Sequence, residues 1–433
     1  MKKFLTATSL IASCLSFANI QKTTSGSNAR YIFEVPATTR EERTYIANFG
    51  FALDEIQSDR VFITGTAYDR DLLNRSGIKF TEKLYQERWK KADLKAGIYR
   101  SYNSTVASLQ NLANNHPEIA NYMILGKSFE GRDQPMLRIS SISPGQAESV
   151  GLPAILYQGC HHAREHLSVE VPLRFAEYLV NNYASNENIK KLIDTREIFI
   201  APVINPDGFF YDYTNGISGK NWRKNRHPNS GGSYGVDLNR NYGFGWGGGG
   251  ASDDPNNDTY RGPSPFSEIE IQNVRDFVKA KRHRMNSVLD FHSFSELILY
   301  PWGYQYDDIS NPEDIQIHTK MAQQMAKWNN YKPEQSSDLY IASGVSLDYF
   351  YGELGMTSFT FELSPNSMFG GGFYLSPSKI ESVFNSNLKP MLYMLEYADN
   401  PARVLTEAMP AWLLRGLHEK NLKTAQYEDL VEK

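Results

Sequence analysis

The sequence predicts an α/β domain with helices on both faces of its sheet, preceded by a small α+β unit. Three observations predict it. From about residue 98 onward, short apolar strands alternate with segments of helical periodicity. A smaller set of strand-like and helix-like segments occupies residues 31–83. Between them the charged stretch QERWKKADLKAG (86–97) reads as an exposed linker. A length of 433 residues suits one large domain with an appendage. Hydrophobic content of 41% and charged content of 22% are those of an ordinary globular chain. A net charge of −4 and the lack of a long basic block argue against nucleic acid as a partner.

The first 18 residues read as an export signal. Lys2 and Lys3 precede a mostly apolar run from Phe4 to Phe17, and Ser16-Phe17-Ala18 is a small-x-small cleavage pattern. The expected location is secreted or periplasmic. Ile11-Ala12-Ser13-Cys14 also resembles a lipoprotein signal, which would leave Cys14 as a lipid anchor. No other apolar run reaches membrane-spanning length. With Cys14 gone, Cys160 has no disulfide partner and is read as a small buried residue.

Residues 19–97 form the next unit. YIFEV (31–35) reads as a strand, TREERTYIANFG (39–50) as a helix, RVFITG (60–65) as a strand, DRDLLNRSG (69–77) as a short helix and IKFTEKL (78–84) as a strand. If ALDEIQ (52–57) is also a strand, the order is β-α-β-β-α-β, as in ferredoxin-like units.

The large domain is expected over 98–400. A helical pattern at 104–120 leads, through GKSFEGRDQPMLRIS (126–140), to the strand PAILYQG (153–159). A helix over 167–183 and a strand over 196–205, stopped by the turn NPDG, follow. EIEIQNVRDFVKAK (268–281) is helical, while NSVLDFHS (286–293) and TSFTFELS (357–364) are buried strands. The Gly-rich stretch 242–258 must be loop, solvated or, through its aspartates, calcium-binding. The extension 401–433 could dock, stay flexible or be removed.

Polar residues gather where the strands end. His161, His162 and Glu165 follow AILYQG, His292 ends SVLDF and Glu362 lies near the end of SFTFE. Ligands of open α/β sheets collect outside the carboxyl ends of strands. Two histidines and a carboxylate are a usual set for catalytic zinc, with the fourth position left to water. His162 and Glu165, three apart at a strand-to-helix turn, can face one ion. His161 stands three before the cation Arg164, so His162 is the better ligand. So short a motif also fits a satisfied core histidine.

HARE (162–165), NWRKNRH (221–227), VDLNRNYGFGWG (236–247), LDFHSFSELILYPWGY (289–304), LYIASGVSLDYFY (339–351) and SFTFELS (358–364) together resemble the carboxypeptidase A/B-type zinc carboxypeptidase family. The motifs keep the family's order, and the likeness extends weakly from about residue 98 to 398. The resemblance implies a mixed central sheet and one Zn2+ held by His162, Glu165 and His292. It makes Asp237 the carboxylate that orients a ligand imidazole. Glu362 would be the general base toward the attacking water, and Arg223 the cation that polarises the scissile carbonyl. Asn239 and Arg240 would clamp the substrate's terminal carboxylate, Tyr340 would close over it, and Arg164 would bind farther along the peptide. The tyrosine often found two residues after the last ligand is Phe294 here, so a hydroxyl role there is not carried over.

The resemblance also implies the reaction: zinc-dependent hydrolysis of the C-terminal bond of peptides and proteins. Gly303, Leu339, Ala342, Leu347 and Thr360 match the pocket for the departing side chain. Leu347 offers no carboxylate to a buried cation, and Gly303 is expected to leave room at the wall, so hydrophobic or aromatic ends should be preferred. A relative that cleaves cell-wall peptides and a catalytically inactive binding protein of the same fold are the alternatives. Residues 19–97 are expected to be an inhibitory pro-segment, released by an activating protease at Lys90, Lys91 or Lys95. The chain is expected to act as a monomer.

Overall fold

The computed structural model describes residues 30–85, 98–213 and 219–414. The expected export signal and linker, and residues 415–433 of the C-terminal extension, lie outside the described residues.

The N-terminal unit runs β1 (Tyr31–Pro36), α1 (Arg40–Ala47), β2 (Glu55–Ile56), β3 (Arg60–Gly65), α2 (Ala67–Arg75) and β4 (Thr81–Leu84). Both helices start on capping boxes, Thr39 with Glu42 and Thr66 with Asp69, which satisfy amides that a helix start leaves free. The strands pair antiparallel in the order β2-β3-β1-β4. Phe33, Val35, Val61 and Ile63 alternate onto one face and bury Ile46, Ala47 and Leu73 of the helices.

The large domain carries eight strands: β5 (Ala120–Lys127), β6 (Asp133–Ile139), β7 (Ala154–Gly159), β8 (Glu197–Ala201), β9 (Met285–Ser293), β10 (Leu297–Tyr300), β11 (Lys332–Gln335) and β12 (Thr357–Leu363). They form a mixed sheet in the order β11-β10-β12-β9-β7-β8-β6-β5. The centre, β12-β9-β7-β8, is parallel, and β5, β6 and β10 pair antiparallel. Apolar runs reveal the buried central strands but not the edge strands β5 and β11, where polar residues such as Asn121, Lys332 and Glu334 break the pattern.

Alternation along the central strands feeds two cores. Ile155 and Tyr157 of β7, with Ile198 and Ile200 of β8, face α3 (Tyr102–Asn115), α4 (Leu167–Asn182), α5 (Glu187–Thr195), α7 (Pro312–Asn329) and α8 (Ile380–Glu396). Ala154, Leu156 and Phe199 point the other way, toward Ile271, Val274 and Val278 of α6 (Ile269–Lys281). Helices therefore cover both faces, as a parallel sheet requires. Val404 and Leu413, at the start of the C-terminal extension, are buried in the first of these cores. None of the helices among the described residues is long and apolar enough to cross a membrane.

The chain leaves β7 through Gly159 and Cys160. A Cβ on Gly159 would lie 2.1 Å from the Ser168 carbonyl, so only glycine lets α4 approach there. Cys160 is buried with a positive φ of 58° and turns the backbone out of the sheet into residues 161–166.

Candidate active site

Strands β7, β9 and β12 run parallel, so their carboxyl ends open on one edge, over a cavity of about 750 Å³. His162 and Glu165 come from the turn after β7, His292 from β9, and Glu362 from the facing position on β12, in register with His292. His162 Nδ1 lies 2.7 Å from Glu165 Oε1, and His292 Nδ1 lies 2.9 Å from Glu165 Oε2 and 3.2 Å from His162 Nδ1. Tetrahedral zinc with bonds of about 2.0–2.1 Å spaces its donors about 3.3 Å apart. The three groups, all buried, converge tightly enough to share one such cation.

His161, Asp290 and His292 form a second close group. His161 faces away from the first: its Nε2 meets the Tyr242 hydroxyl at 2.8 Å and its Nδ1 lies 3.2 Å from Asp290 Oδ1. The cavity reaches His162, Glu165 and His292, but neither His161 nor Asp290 lines it. Access therefore favours the first group as the metal position.

Asp237 Oδ1 lies 3.1 Å from His162 Nε2, and Asp237 Oδ2 accepts from Arg223 Nε at 2.9 Å. Burial opposes ionisation of Asp237, but Arg223 and His162 hold its carboxyl well below the usual range. Burial and the neighbouring Arg223 lower the pKa of His162, favouring the neutral imidazole that a metal needs. Burial raises the Glu362 carboxyl to about 8, with Glu165 adding to the shift and His292 and Arg223 opposing it.

Two arginines differ in what they have left to offer. Arg240 gives Nε to the Gly250 carbonyl and Nη1 to the Asn239 carbonyl, each at 2.8 Å, and makes no ion pair among the described residues. Arg164 is fully buried, donates to Asp54 Oδ1 of the N-terminal unit at 2.7 Å, lies 3.5 Å from Asp258 and sits over the Phe373 ring. Arg240, Asn239 and Tyr340 line the cavity, and Arg164 does not.

Leu339, Ala342, Leu347 and Thr360 line the cavity together with Leu297, Leu299 and Val345. Gly303 does not, which corrects the expectation that it leaves room at the wall. A Cβ there would meet the Ala342 carbonyl and Ser336 Oγ at 3.2 Å, so its missing side chain lets neighbouring backbone close in. Asp348 points away from the cavity and accepts the amides of Gly303 and Tyr304 at 2.8 and 2.9 Å. Phe294 is buried in an aromatic cluster with Phe62 and Phe373, as a packing residue. The Gly-rich stretch is not simply solvated. A Cβ on Gly250 would lie 1.8 Å from the Ile341 carbonyl, Asp254 accepts from Tyr68 of the N-terminal unit, and Asp258 faces Arg164.

The motifs contain Asp290 and Ser346 without marking a role for either, and they leave out the polar outer wall of Lys332, Glu334 and Asp338. They also miss the cover. Leu53, Asp54, Ile56 and Gln57 of the N-terminal unit line the same cavity, Arg40 Nη1 donates to Asp338 at 3.1 Å, and Tyr340 packs against the unit's core.

Residues 105–389 match the zinc carboxypeptidase family. The chain belongs to that family. The chain is 33% identical to a zinc carboxypeptidase from Saccharothrix mutabilis subsp. capreolus, over 90% of this chain and 94% of that one. It is 33% identical to mouse carboxypeptidase A2, over 68% of each chain. The crystal structure of carboxypeptidase A from Helicoverpa armigera superposes with a TM-score of 0.71 at 25% identity, covering 87% of this chain and 98% of that one. The protein is thus a metallocarboxypeptidase, a hydrolase of C-terminal peptide bonds. The mixed sheet with helices on both faces is the fold these relatives share.

Proposed function

We propose that this carboxypeptidase is exported in latent form and, once its N-terminal unit is released, removes hydrophobic or aromatic residues from peptide C-termini. One observation carries the reading: the His162–Glu165–His292 group, Glu362, an arginine free of ion pairs among the described residues and an apolar wall converge on one cavity. His162, Glu165 and His292 would hold one zinc ion, which when bound acts as a Lewis acid and lowers the pKa of water. Glu362 takes the proton of the attacking water and returns it to the leaving amine. A bound cation would draw its pKa down from about 8 toward values at which it is ionised at neutral pH. Arg223, steadied by Asp237, stabilises negative charge on the carbonyl oxygen. Arg240 and Asn239 receive the terminal carboxylate, and Tyr340 closes over it.

Leu347 and Leu339 support a preference for Phe, Tyr, Leu or Met, since burying such a side chain contributes about 2 kcal/mol. A second specificity is favoured by Asp338 and Glu334, which line the outer wall and give a C-terminal Lys or Arg a partner. Comparing kcat/KM for peptides ending in Phe, Leu, Lys, Arg and Glu tests the ranking. Lys or Arg above Phe would overturn the hydrophobic preference in favour of this acidic wall.

Latency is supported by the cover over the cavity. Asp54 occupies Arg164, and Arg40 occupies Asp338, so substrate and N-terminal unit compete for the same groups. A cell-wall peptide remains compatible as substrate where it carries a free C-terminus. An inactive binding role fits poorly with Glu362 facing the metal position.

A further inference from the structure

The two ligand imidazoles are oriented alike. His162 turns Nδ1 toward the cavity and Nε2 toward a buried aspartate, Asp237, at 3.1 Å. His292 does the same, and its Nε2 lies 3.6 Å from Oδ2 of a different buried aspartate, Asp290. That separation exceeds a hydrogen bond by about half an ångström. Asn239 cannot serve instead. Its Oδ1 accepts the Ser346 amide at 2.8 Å, which leaves its Nδ2, another donor, 3.4 Å from His292 Nε2. When Nδ1 of His292 binds a metal, the proton on Nε2 finds Asp290 as its acceptor among the described side chains.

Asp290 has a neighbour at each of its oxygens. Ser346 Oγ donates to Oδ2 at 2.5 Å, and His161 Nδ1 lies 3.2 Å from Oδ1. His161 is fixed in turn by the Tyr242 hydroxyl, and its ring stacks on His292 with centroids 5.5 Å apart and planes 10° from parallel. Ser346 also ties this chain to Asn239 through its amide and directly precedes Leu347 of the pocket wall.

We propose that Asp290, anchored by Ser346 and flanked by His161, is the positioning residue for the metal ligand His292. The inference rests on the metal position assigned above. It gives the adjacent histidines separate places: His162 binds, and His161 stands beside the carboxylate that orients the other imidazole. The rival use of the same residues is a second metal site made of His161, Asp290 and His292, but two of these three do not reach the cavity.

The test uses the full chain loaded with zinc or with cobalt(II), and the variants Asp290→Asn, Ser346→Ala, their combination and Asp237→Asn as a yardstick. Zinc content per chain, the rate of zinc loss to a chelator, the visible spectrum of the cobalt form and the melting temperature of the metal-free protein are measured. Outer partners of metal-bound histidines typically change metal affinity by about 10–100-fold. Asp290→Asn should therefore speed zinc loss about tenfold or more and shift the cobalt bands, with little change in metal-free melting. Ser346→Ala should act in the same direction and add little to Asp290→Asn, because both lie on one path. If Asp290→Asn does not fold, Ser346→Ala decides alone. Zinc loss at the wild-type rate, with an unchanged cobalt spectrum, overturns the proposal. So do two zinc ions per wild-type chain, one of them lost on Asp290→Asn. A wild-type chain that holds no zinc overturns the metal position itself, and this inference with it.

Discussion

The cavity has two halves of different origin. Its inner half is built by residues at the carboxyl ends of β7, β9 and β12, with core packed on both faces of the sheet behind them. Its outer half is completed by the N-terminal unit, whose four-stranded sheet buries a single smaller core. The inner groups bond mainly to one another: His162 to Glu165 and Asp237, and Asp237 to Arg223. The outer groups bond across the junction, Asp54 to Arg164, Arg40 to Asp338 and Tyr68 to Asp254. A rigid sheet edge suits chemistry that needs fixed geometry. Contacts across a junction can be broken without disturbing that edge.

Damage to the inner half should have the largest effect. Glu362→Gln should keep zinc and lose about 10²–10⁴-fold in turnover, whereas His162→Ala should lose metal as well. Metal analysis beside a steady-state assay separates the two, and near wild-type activity in Glu362→Gln would remove this residue as the base.

Damage to the outer half should have the opposite sign. Asp54→Ala strips the N-terminal unit of its contact with Arg164, and breaking a buried pair on one side costs about 3–5 kcal/mol. The uncleaved chain should then gain basal activity by about tenfold or more, while the chain cleaved between residues 86 and 97 should respond less. Limited proteolysis followed by mass analysis and assay reads both. Cleavage there without a rise in activity would show that the unit is not inhibitory.

The boundary between the halves is probed by Leu347→Asp. A carboxylate on the apolar wall should lower kcat/KM for C-terminal Phe by about 10–100-fold and raise it for Lys, consistent with about 2 kcal/mol of lost burial. Peptides differing only in the last residue measure it.

The smallest expected effect lies behind the wall. Burial raises the Asp348 carboxyl to about 7, against the pull of the Gly303 and Tyr304 amides. The folded chain therefore holds a proton that the unfolded chain releases near the ordinary carboxylate pKa of about 4. Stability from this group is full below that value, falls as the pH rises toward 7 and is flat above. Asp348→Asn should flatten this part of the profile, by a few kcal/mol at most, in melting temperatures recorded from pH 4 to 8.

Much of the site was legible in the sequence because its chemistry needs particular residue types at short spacing. His162 and Glu165 lie within one turn, and His292 and Glu362 end strands whose apolar runs are unmistakable. Leu347 reads correctly as a wall residue because neighbouring Asp348 takes the opposite direction. Gly303 misled because a missing side chain has two uses, space for a ligand or close approach of backbone, and only the positions of Ala342 and Ser336 distinguish them. The edge strands β5 and β11 were hidden because one-sided burial leaves polar residues in the pattern.

The sequence by itself determined the local matters: the alternation that makes two cores, the capping boxes that start α1 and α2, and the family to which the motifs point. These depend on neighbours along the chain. Only the tertiary structure decided that Asp54 reaches Arg164, that Asp290 stands behind His292, and that the Gly-rich stretch lies against Ile341. Such pairings join residues far apart in sequence, and their energies depend on distance and burial, which no local pattern records.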